Sequence, residues 1–215
     1  VVDEKCKLVD ILFWETVFQN GENQREQKLD IPVVIMAGGK GTRLEPFPKV
    51  LPKPLVPIHE KPVIEHIIER FTEVGVRNFI LTVNYKASIM KAFFEELAPD
   101  FSVEFLEEQE PLGTAGSLRL LEGRFNTPFM VTNSDIIIKA DYPDLYAFHR
   151  ENGYDITLVA SMKNYTIPYG TCELNGDGYL KNINEKPEYD VLVNTGLYVL
   201  NPAILGLIPK EKLYH

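Results

Sequence analysis

Along residues 31–150, short continuous apolar runs alternate with segments whose apolar residues recur at helical spacing. Residues 32–37 form an apolar run that ends at glycine, which predicts a buried strand. Residues 62–75 have helical spacing between a proline and a glycine, which predicts a helix. Similar patterns predict strands at 78–83, 103–106 and 129–132, and helices at 87–97, 113–121 and 142–150. Repeated strand–helix units predict an α/β fold whose mostly parallel sheet carries helices on both faces.

Two regions depart from this alternation. After Gly153 the pattern predicts strands at 156–161, 170–174, 179–183 and 191–200, with a hairpin turn at 175–178. At the other end, residues 20–30 are polar, charged and without periodicity, as is typical of a linker. We therefore expect residues 1–30 to be the tail of a preceding module plus a linker, and residues 31–215 to be one α/β domain with a β-rich second half.

Composition excludes several classes of protein. The net charge of −9 argues against a nucleic-acid partner, and no apolar stretch approaches the roughly 18 residues of a membrane span. Cys6 and Cys172 lack metal-ligand spacing and are expected as free thiols in a reducing, cytoplasmic environment. The four histidines fall in no motif, and His66 and His149 are expected at the surface or half-buried.

The segment 38–54 concentrates glycine and positive charge directly after the first predicted strand. Its glycines, Gly38, Gly39 and Gly41, leave backbone N–H groups open to close approach by an anion. Within fourteen residues of sequence there are four positively charged residues and a single acid, Glu45. The four are Lys40, Arg43, Lys49 and Lys53. Because this local positive charge opposes the net charge of the chain, the loop is predicted to receive phosphate, although a glycine-rich turn alone can be simple turn geometry.

With these residues in place, the chain resembles the sugar-1-phosphate nucleotidyltransferases over residues 31–209. The signature is Gly41-Thr42-Arg43-Leu44 followed at the family's spacing by Pro52-Lys53-Pro54-Leu55. Further motifs follow in the family's order at 110–116, 133–135, 168–170, 185–187 and 193–196. The string at 110–116 is similar to that of mannose-1-phosphate guanylyltransferases. The resemblance implies a Rossmann-like three-layer fold of the GT-A-like kind.

The chain also departs from the family pattern. Pro48 stands where the family usually has threonine, and Ser134 where it usually has glycine. A second metal-binding aspartate in a Trp-x-Asp-x-Gly-like motif is absent, so we expect a domain truncated at its C-terminus that turns over slowly or not at all. Residues 1–14 resemble the last strands of a CBS domain, which some members carry in front.

The reaction implied by the resemblance is attack of a sugar-1-phosphate oxygen on the α-phosphorus of a nucleoside triphosphate, with loss of pyrophosphate. The nucleophile is already anionic, so catalysis should come from positioning and fixed positive charge. The resemblance implies that Lys53 is the main catalytic cation, that Arg43 binds the β- and γ-phosphates, and that Asp135 is a Mg²⁺ ligand. An aspartate after a strand can also be a simple helix N-cap.

The same resemblance implies the contacts of both substrates. The nucleotide-binding residues are Ala37, Gly38, Gly39, Gly41, Thr42, Glu108, Gly113 and Thr114. The residues that bind the sugar phosphate are Tyr169, Gly170, Glu185, Lys186, Asn194 and Thr195. The expected partners are thus an NTP and a sugar-1-phosphate, without nucleic acid or membrane, while a homo-oligomer is left open.

The resemblance also implies that Glu108, counted back from Gly113, occupies the position that in the family meets the edge of the base, where thymidylyl- and uridylyltransferases often have glutamine. An ionised carboxylate only accepts hydrogen bonds, and guanine offers two adjacent donors, whereas thymine and uracil flank one donor with carbonyls. GTP is therefore favoured. Three alternatives stay open: a thymidylyl- or uridylyltransferase, a non-catalytic nucleotide- or sugar-phosphate-binding domain, and an acidic run at 107–110 that is only a solvated loop.

Overall fold

A computed structural model describes residues 28–39, 51–108, 110 and 112–209. Residues 1–27, which are most of the predicted tail and linker at 1–30, and residues 40–50, with Gly41, Thr42 and Arg43, lie outside the described residues. The chain divides into two compact units, of which the second is Val159–Thr195. The first unit extends to Leu158 and resumes at Gly196.

Among the described residues, a six-stranded sheet forms the framework of the first unit, and two of its strands continue into the residues of the second unit. Its strands are β1 (Pro32–Met36), β4 (Asn78–Val83), β5 (Ser102–Glu107), β6 (Phe129–Asn133), β7 (Ile156–Thr166) and β10 (Glu188–Leu200). Their order across the sheet is β5-β4-β1-β6-β10-β7. Strands β5, β4, β1 and β6 pair in parallel, and β10 joins β6 in the antiparallel sense. Two short strands, β2 (Pro57–Ile58) and β3 (Lys61–Pro62), form a separate antiparallel pair. The predicted mostly parallel sheet is confirmed.

In the described ranges, four α-helices connect the strands: α1 (Val63–Glu73), α2 (Ala87–Leu97), α3 (Gly113–Gly116) and α4 (Tyr142–Asn152). Short 3₁₀ helices occupy Lys53–Leu55, Ser117–Leu121 and Pro202–Leu207. The continuous helix predicted at 113–121 is instead one α-helical turn followed by a 3₁₀ helix. Its first turn contains two glycines, which are poor helix formers.

Apolar side chains cover both faces of the sheet. On one face Val34 and Ile80 belong to a cluster that includes Leu121 of a 3₁₀ helix. On the other face Phe71 of α1 packs edge-on against Phe79 of β4, with ring centroids 6.4 Å apart. Ile80 and Phe79 face opposite ways because successive strand residues alternate. The predicted covering of both sheet faces is thus confirmed.

His149 corrects one expectation, because its side chain is neither at the surface nor half-buried but only 1% exposed. It lies in the last turn of α4 on the same buried stripe as Leu145, four residues earlier. Its Nδ1 lies 2.8 Å from Oγ1 of Thr157, and burial lowers the pKa of the imidazole. A helix that packs one face on the sheet buries whichever residue that face carries, polar or not.

The second unit contains the hairpin of β8 (Thr171–Leu174) and β9 (Leu180–Asn184), paired in the antiparallel sense. Asn175 shapes the turn, since its Oδ1 accepts hydrogen bonds from the N–H groups of Asp177 and Tyr179 at 3.1 and 2.8 Å. The predicted hairpin at 175–178 is therefore confirmed. Cys172 of β8 is an exposed free thiol. In the part of the chain that the structure describes, no helix is long and apolar enough to cross a membrane.

Candidate active site

The candidate active site lies where the parallel strands of the first unit end. Across this edge of the sheet the chain emerges from β5 at Glu108, from β4 at Asn84, from β1 at Ala37 and Gly38, and from β6 at Ser134 and Asp135. The chain progresses from β1 to β4 and β5 on one side, and then returns to β6 on the other side of β1. Such a reversal of strand order opens a crevice at the carboxyl ends of the strands, where α/β proteins bind ligands.

At this edge the Nζ of Lys53 contacts Oδ2 of Asp135, across 82 residues of sequence. Both side chains are partly exposed, at 21% and 31%. The two residues that the resemblance assigns to the reacting phosphates and to the metal ion thus lie side by side. The contact places a cation and a carboxylate where a phosphate chain with its counterion can be received.

Local structure holds Lys53 in position. The residue begins a single 3₁₀ turn between Pro52 and Pro54, whose rings restrict the backbone on both sides. The N–H of Leu55 donates to the carbonyl of Pro52 at 2.9 Å, and Leu55 itself is buried. The lysine therefore projects from an anchored turn, which limits the entropy lost when it meets a ligand.

Glu108 is the buried acid of the acidic segment, with 9% of its surface exposed. Its neighbours differ: Glu107 contacts the Nζ of Lys91, and Glu110 is exposed. The alternative that the acidic run at 107–110 is only a solvated loop is therefore wrong for Glu108. Burial raises the pKa of the Glu108 carboxyl, while hydrogen bonds from the N–H of Leu112 and from Ser117 act in the opposite direction.

Gly38 lies against the Glu108 carboxylate. A side chain at Gly38 would start 2.6 Å from Oε1 of Glu108, closer than non-bonded atoms approach. Gly39 has no such neighbour among the described residues. The absence of a side chain at Gly38 thus makes room for an acid of this chain, a role that the glycine pattern did not predict.

The other predicted nucleotide-binding residues are placed as follows. Ala37 is buried and its N–H donates to the carbonyl of Thr82 at 2.9 Å. Gly113 begins α3 with a φ of 82°, a left-handed conformation that favours glycine. Thr114 follows in α3. These residues lie on the segments that also carry Gly38 and Glu108.

Within the second unit, the structure brings two predicted sugar-phosphate residues together. A side chain at Gly170 would start 2.9 Å from Oε2 of Glu185. Lys186 is exposed, with a φ of 45° that is uncommon for a residue with a side chain and often marks a functional position. Tyr169 is 74% exposed.

Asn194 and Thr195 lie on β10, at the end of the second unit. The hydroxyl of Thr195 donates to the carbonyl of Val159 at 2.6 Å, and Asn194 is exposed. The hydroxyl of Thr195 thus has a structural partner within its own unit.

Three polar residues at the carboxyl edge of the sheet were not predicted as site residues from the sequence. Asn84 donates from Nδ2 to the main-chain carbonyl of Glu108 at 2.7 Å, and Ser117, 1% exposed, hydrogen-bonds to the Glu108 carboxylate. Asn133 lies directly against Gly196. Asn84 had a usable signal, because it immediately follows a predicted strand. Ser117 had none, since its burial depends on packing.

A divalent metal ion at this edge of the sheet would need ligands from the protein. Among the described residues, no three of the His, Cys, Asp and Glu side chains are grouped as a metal cage would require. Asp135 supplies the carboxylate that contacts Lys53. Mg²⁺ commonly takes one or two carboxylates, with phosphate oxygens and water completing its shell. The residues present therefore fit a Mg²⁺ ion that is held together with a phosphate substrate.

Comparison with known proteins shows the family of this chain. The family model described as "Nucleotidyl transferase" matches residues 32–214. The chain belongs to this family. It is 39% identical to a mannose-1-phosphate guanyltransferase of Pichia angusta over 184 residues, which are 81% of this chain and 50% of that protein. This nucleotidyltransferase chain thus spans about half the length of the curated relatives it matches.

Solved structures agree with the fold. The crystal structure of HddC from Yersinia pseudotuberculosis has a TM-score of 0.65 and 30% identity to this chain, covering 85% of it and 81% of HddC. A second HddC structure, complexed with GMP-PN, has a TM-score of 0.64 and 28% identity over the same shares of the two chains. The Rossmann-like α/β fold implied by the sequence resemblance is confirmed.

Proposed function

We propose that this chain is the nucleotidyltransferase part of an enzyme that transfers a nucleotidyl group, preferentially from GTP, to a sugar-1-phosphate. An oxygen of the sugar phosphate attacks the α-phosphorus, the bond to the β-phosphate breaks, and the products are an NDP-sugar and pyrophosphate. The attacking oxygen is already ionised, so the protein needs no general base and acts by positioning and electrostatic stabilisation.

The observation that carries the proposal is the contact between Lys53 and Asp135. A lysine beside the reacting phosphates would offset the charge that builds up as pyrophosphate leaves. A carboxylate next to it would hold Mg²⁺, which when bound would neutralise phosphate charge and orient the triphosphate. Arg43, from the preceding loop, is proposed to bind the β- and γ-phosphates through its planar, bidentate guanidinium.

GTP is the proposed donor because Glu108 is a buried carboxylate at the position assigned to the base. Its ionised form can accept both adjacent donors of guanine and repels the carbonyls of uracil and thymine. The names of the relatives, mannose-1-phosphate guanyltransferases, and the GMP-PN bound to HddC support the same choice. Gly38, Gly39 and Gly113 are proposed to line the nucleotide.

Mannose 1-phosphate is the proposed acceptor, on the strength of the relatives' names. The proximity of Gly170 and Glu185 supports a role for the second unit in binding the sugar, with the Glu185 carboxylate accepting hydrogen bonds from hydroxyls. Lys186, next in sequence and exposed, is proposed to meet the sugar phosphate.

Two parts of the proposal rest on the sequence. The resemblance of residues 1–14 to the last strands of a CBS domain supports a CBS-type module joined to this domain by a linker. The absence of disulfide or metal spacing at Cys6 and Cys172 supports a cytoplasmic location.

The first test is thermal stabilisation of the 215-residue chain by GTP, dTTP, UTP, CTP and ATP, each with Mg²⁺. A nucleotide at about 100 times its dissociation constant stabilises the folded state by about 2.7 kcal/mol, so a binding nucleotide raises the Tm measurably. Stabilisation by GTP alone supports the proposal, whereas stabilisation by dTTP or UTP would overturn the base assignment and keep the reaction. No stabilisation by any nucleotide would contradict nucleotide binding by this chain.

Turnover is tested in a protein that retains its full length, by adding GTP and mannose 1-phosphate and measuring pyrophosphate together with GDP-sugar. Asp135→Asn should abolish product formation, because an amide is a weaker Mg²⁺ ligand than a carboxylate. Asp177→Asn, a change in the exposed hairpin turn, is the matched control. Strong binding of GTP without product, in a protein that retains its full length, would favour the non-catalytic alternative.

A further inference from the structure

Four hydrogen bonds from residues that the structure describes hold Glu108 at the carboxyl edge of the sheet. Two reach its main chain: its N–H donates to the carbonyl of Val83 at 2.8 Å, and its carbonyl accepts from Nδ2 of Asn84 at 2.7 Å. Two reach its carboxylate: the N–H of Leu112 donates to Oε2 at 3.2 Å, and Ser117 contributes a side-chain hydrogen bond. Within the described ranges, Ser117 is thus the side chain that hydrogen-bonds to the carboxylate.

We propose that Ser117 is a positioning residue for guanine recognition. Its hydroxyl holds the Glu108 carboxylate in an orientation that leaves the remaining lone pairs of the carboxylate available to the base. This inference rests on the proposed use of GTP. Ser117 begins the 3₁₀ helix Ser117–Leu121 and is 1% exposed, so its hydroxyl is fixed by the fold and has little contact with water. The other carboxylate oxygen, Oε1, lies against Gly38 at the end of β1.

The number of acceptor sites supports this arrangement. A carboxylate has two oxygens and about four lone-pair positions. Leu112 and Ser117 use two of these positions, which leaves capacity for two donors. Guanine presents two adjacent donors, N1–H and the N2 amino group, so the remaining capacity matches the base.

Ser117 also stabilises the ionised form of the Glu108 carboxyl. Burial raises the pKa of the Glu108 carboxyl, and hydrogen bonds to its ionised form oppose that rise. No ion-pair partner of Glu108 is found among the described residues: the neighbouring Glu107 is paired with Lys91, and Glu110 is exposed. A hydroxyl and a peptide N–H therefore stabilise the ionised carboxylate as a buried cation would, without themselves adding a positive charge that would repel the donors of guanine.

The test compares Ser117→Ala with Asn84→Ala by titration calorimetry with GTP and Mg²⁺ between about pH 5 and pH 8. Each variant loses one hydrogen bond to Glu108, but only the Ser117 bond reaches the carboxylate. Ser117→Ala should weaken GTP binding about three- to tenfold at neutral pH and move the acidic limb of the affinity profile to higher pH. Asn84→Ala should weaken binding without moving that limb. The titration of GTP itself cancels when variants are compared at each pH.

A double-mutant cycle makes the test independent of any general loss of structure. In the Glu108→Gln background, Ser117→Ala should cost little further GTP affinity, because the ionised group on which it acts is gone. An equal cost in both backgrounds, or an unmoved pH limb, would overturn the role of Ser117 while leaving GTP binding intact. If Ser117→Ala does not fold, Ser117→Cys, a similar volume with a weak donor, should show the same changes in reduced form. Failure of the unmodified chain to bind GTP would overturn the proposed function as well.

Discussion

Oε1 of Glu108 lies against Gly38, 2.6 Å from the place where a side chain at that position would begin. The glycine at the end of β1 and the acid at the end of β5 are therefore fitted to each other, although β4 separates their strands in the sheet. A substitution at Gly38 must displace the carboxylate or the loop. The arrangement links the end of β1, where the predicted phosphate-binding loop begins, to the residue proposed to recognise the base.

Gly38→Ala is expected to weaken GTP binding, and Gly39→Ala to leave it nearly unchanged. Overpacking of a fitted site costs about 1–3 kcal/mol, which corresponds to about 5- to 150-fold in affinity if the cost falls on the binding-competent position of Glu108. Gly39 has open space around it in the part of the chain described, so the same added methyl group is tolerated. Calorimetric titration with GTP measures both. Equal losses in the two variants would show that Glu108 does not set the constraint.

Glu108→Gln is expected to weaken GTP binding and to increase the Tm relative to that of the unmodified chain as pH rises. Because the carboxyl pKa is raised in the folded state, Glu108 contributes stability below its unfolded-state pKa, and this contribution is lost as pH rises through the folded-state value. The neutral amide has no such penalty, so the Tm of the variant relative to the unmodified chain should increase from about pH 4 to pH 7. At neutral pH, GTP binding should weaken and selectivity against dTTP and UTP should relax.

Calorimetric or fluorescence melting of the unmodified and Glu108→Gln chains at both pH values checks the stability part of this prediction. Glu110→Gln, an exposed acid two residues further along, is the matched control and should show no such pH-dependent difference. A Tm difference that does not vary with pH would mean that Glu108 is not ionised at a cost in the folded protein. Unchanged nucleotide selectivity would remove Glu108 from base recognition.

Lys53→Ala is expected to lower turnover far more than nucleotide binding. Loss of one preorganised electrostatic contact to a transition state typically costs about 10²–10³ in rate, while the ground-state complex keeps its other contacts. Pyrophosphate release with GTP and mannose 1-phosphate measures the rate, and calorimetry measures the binding. Lys61→Ala is the control, since Lys61 is an exposed lysine that pairs with Glu69. Equal losses of rate and affinity would reassign Lys53 to ground-state binding.

Gly196→Ala is expected to destabilise the first unit. Gly196 has a φ of 76°, and a side chain there would overlap Asn133 at the end of β6. The strained backbone and the overlap together should lower the free energy of unfolding by more than about 1 kcal/mol. Gly176→Ala, in the exposed hairpin turn, should have a much smaller effect, because among the described residues the added Cβ would meet no atom within 4 Å beyond its chain neighbours. Thermal or urea unfolding of the two variants gives the comparison, and similar stabilities would refute the crowding at Asn133.

Much of the fold could be predicted because its signals are local. The apolar run before Gly38, the helical spacing of 62–75 and the turn at 175–178 each depend on adjacent residues, and each element appears where it was expected. His149 and the segment 113–121 were exceptions. A buried helix face can carry a polar ring, and a short helix rich in glycine does not continue as an α-helix.

The sequence by itself determined the family, the succession of strands and helices, and the residues that end each strand, because periodicity, turn chemistry and motif spacing are properties of neighbouring residues. Only the tertiary structure decided which of these residues meet. It brings Lys53 to Asp135 across 82 residues, buries Glu108 while Glu107 and Glu110 stay exposed, and places Asn84, Ser117 and Gly38 against Glu108. These contacts depend on strand order and on side-chain packing, and neither quantity is encoded in any short stretch of the chain.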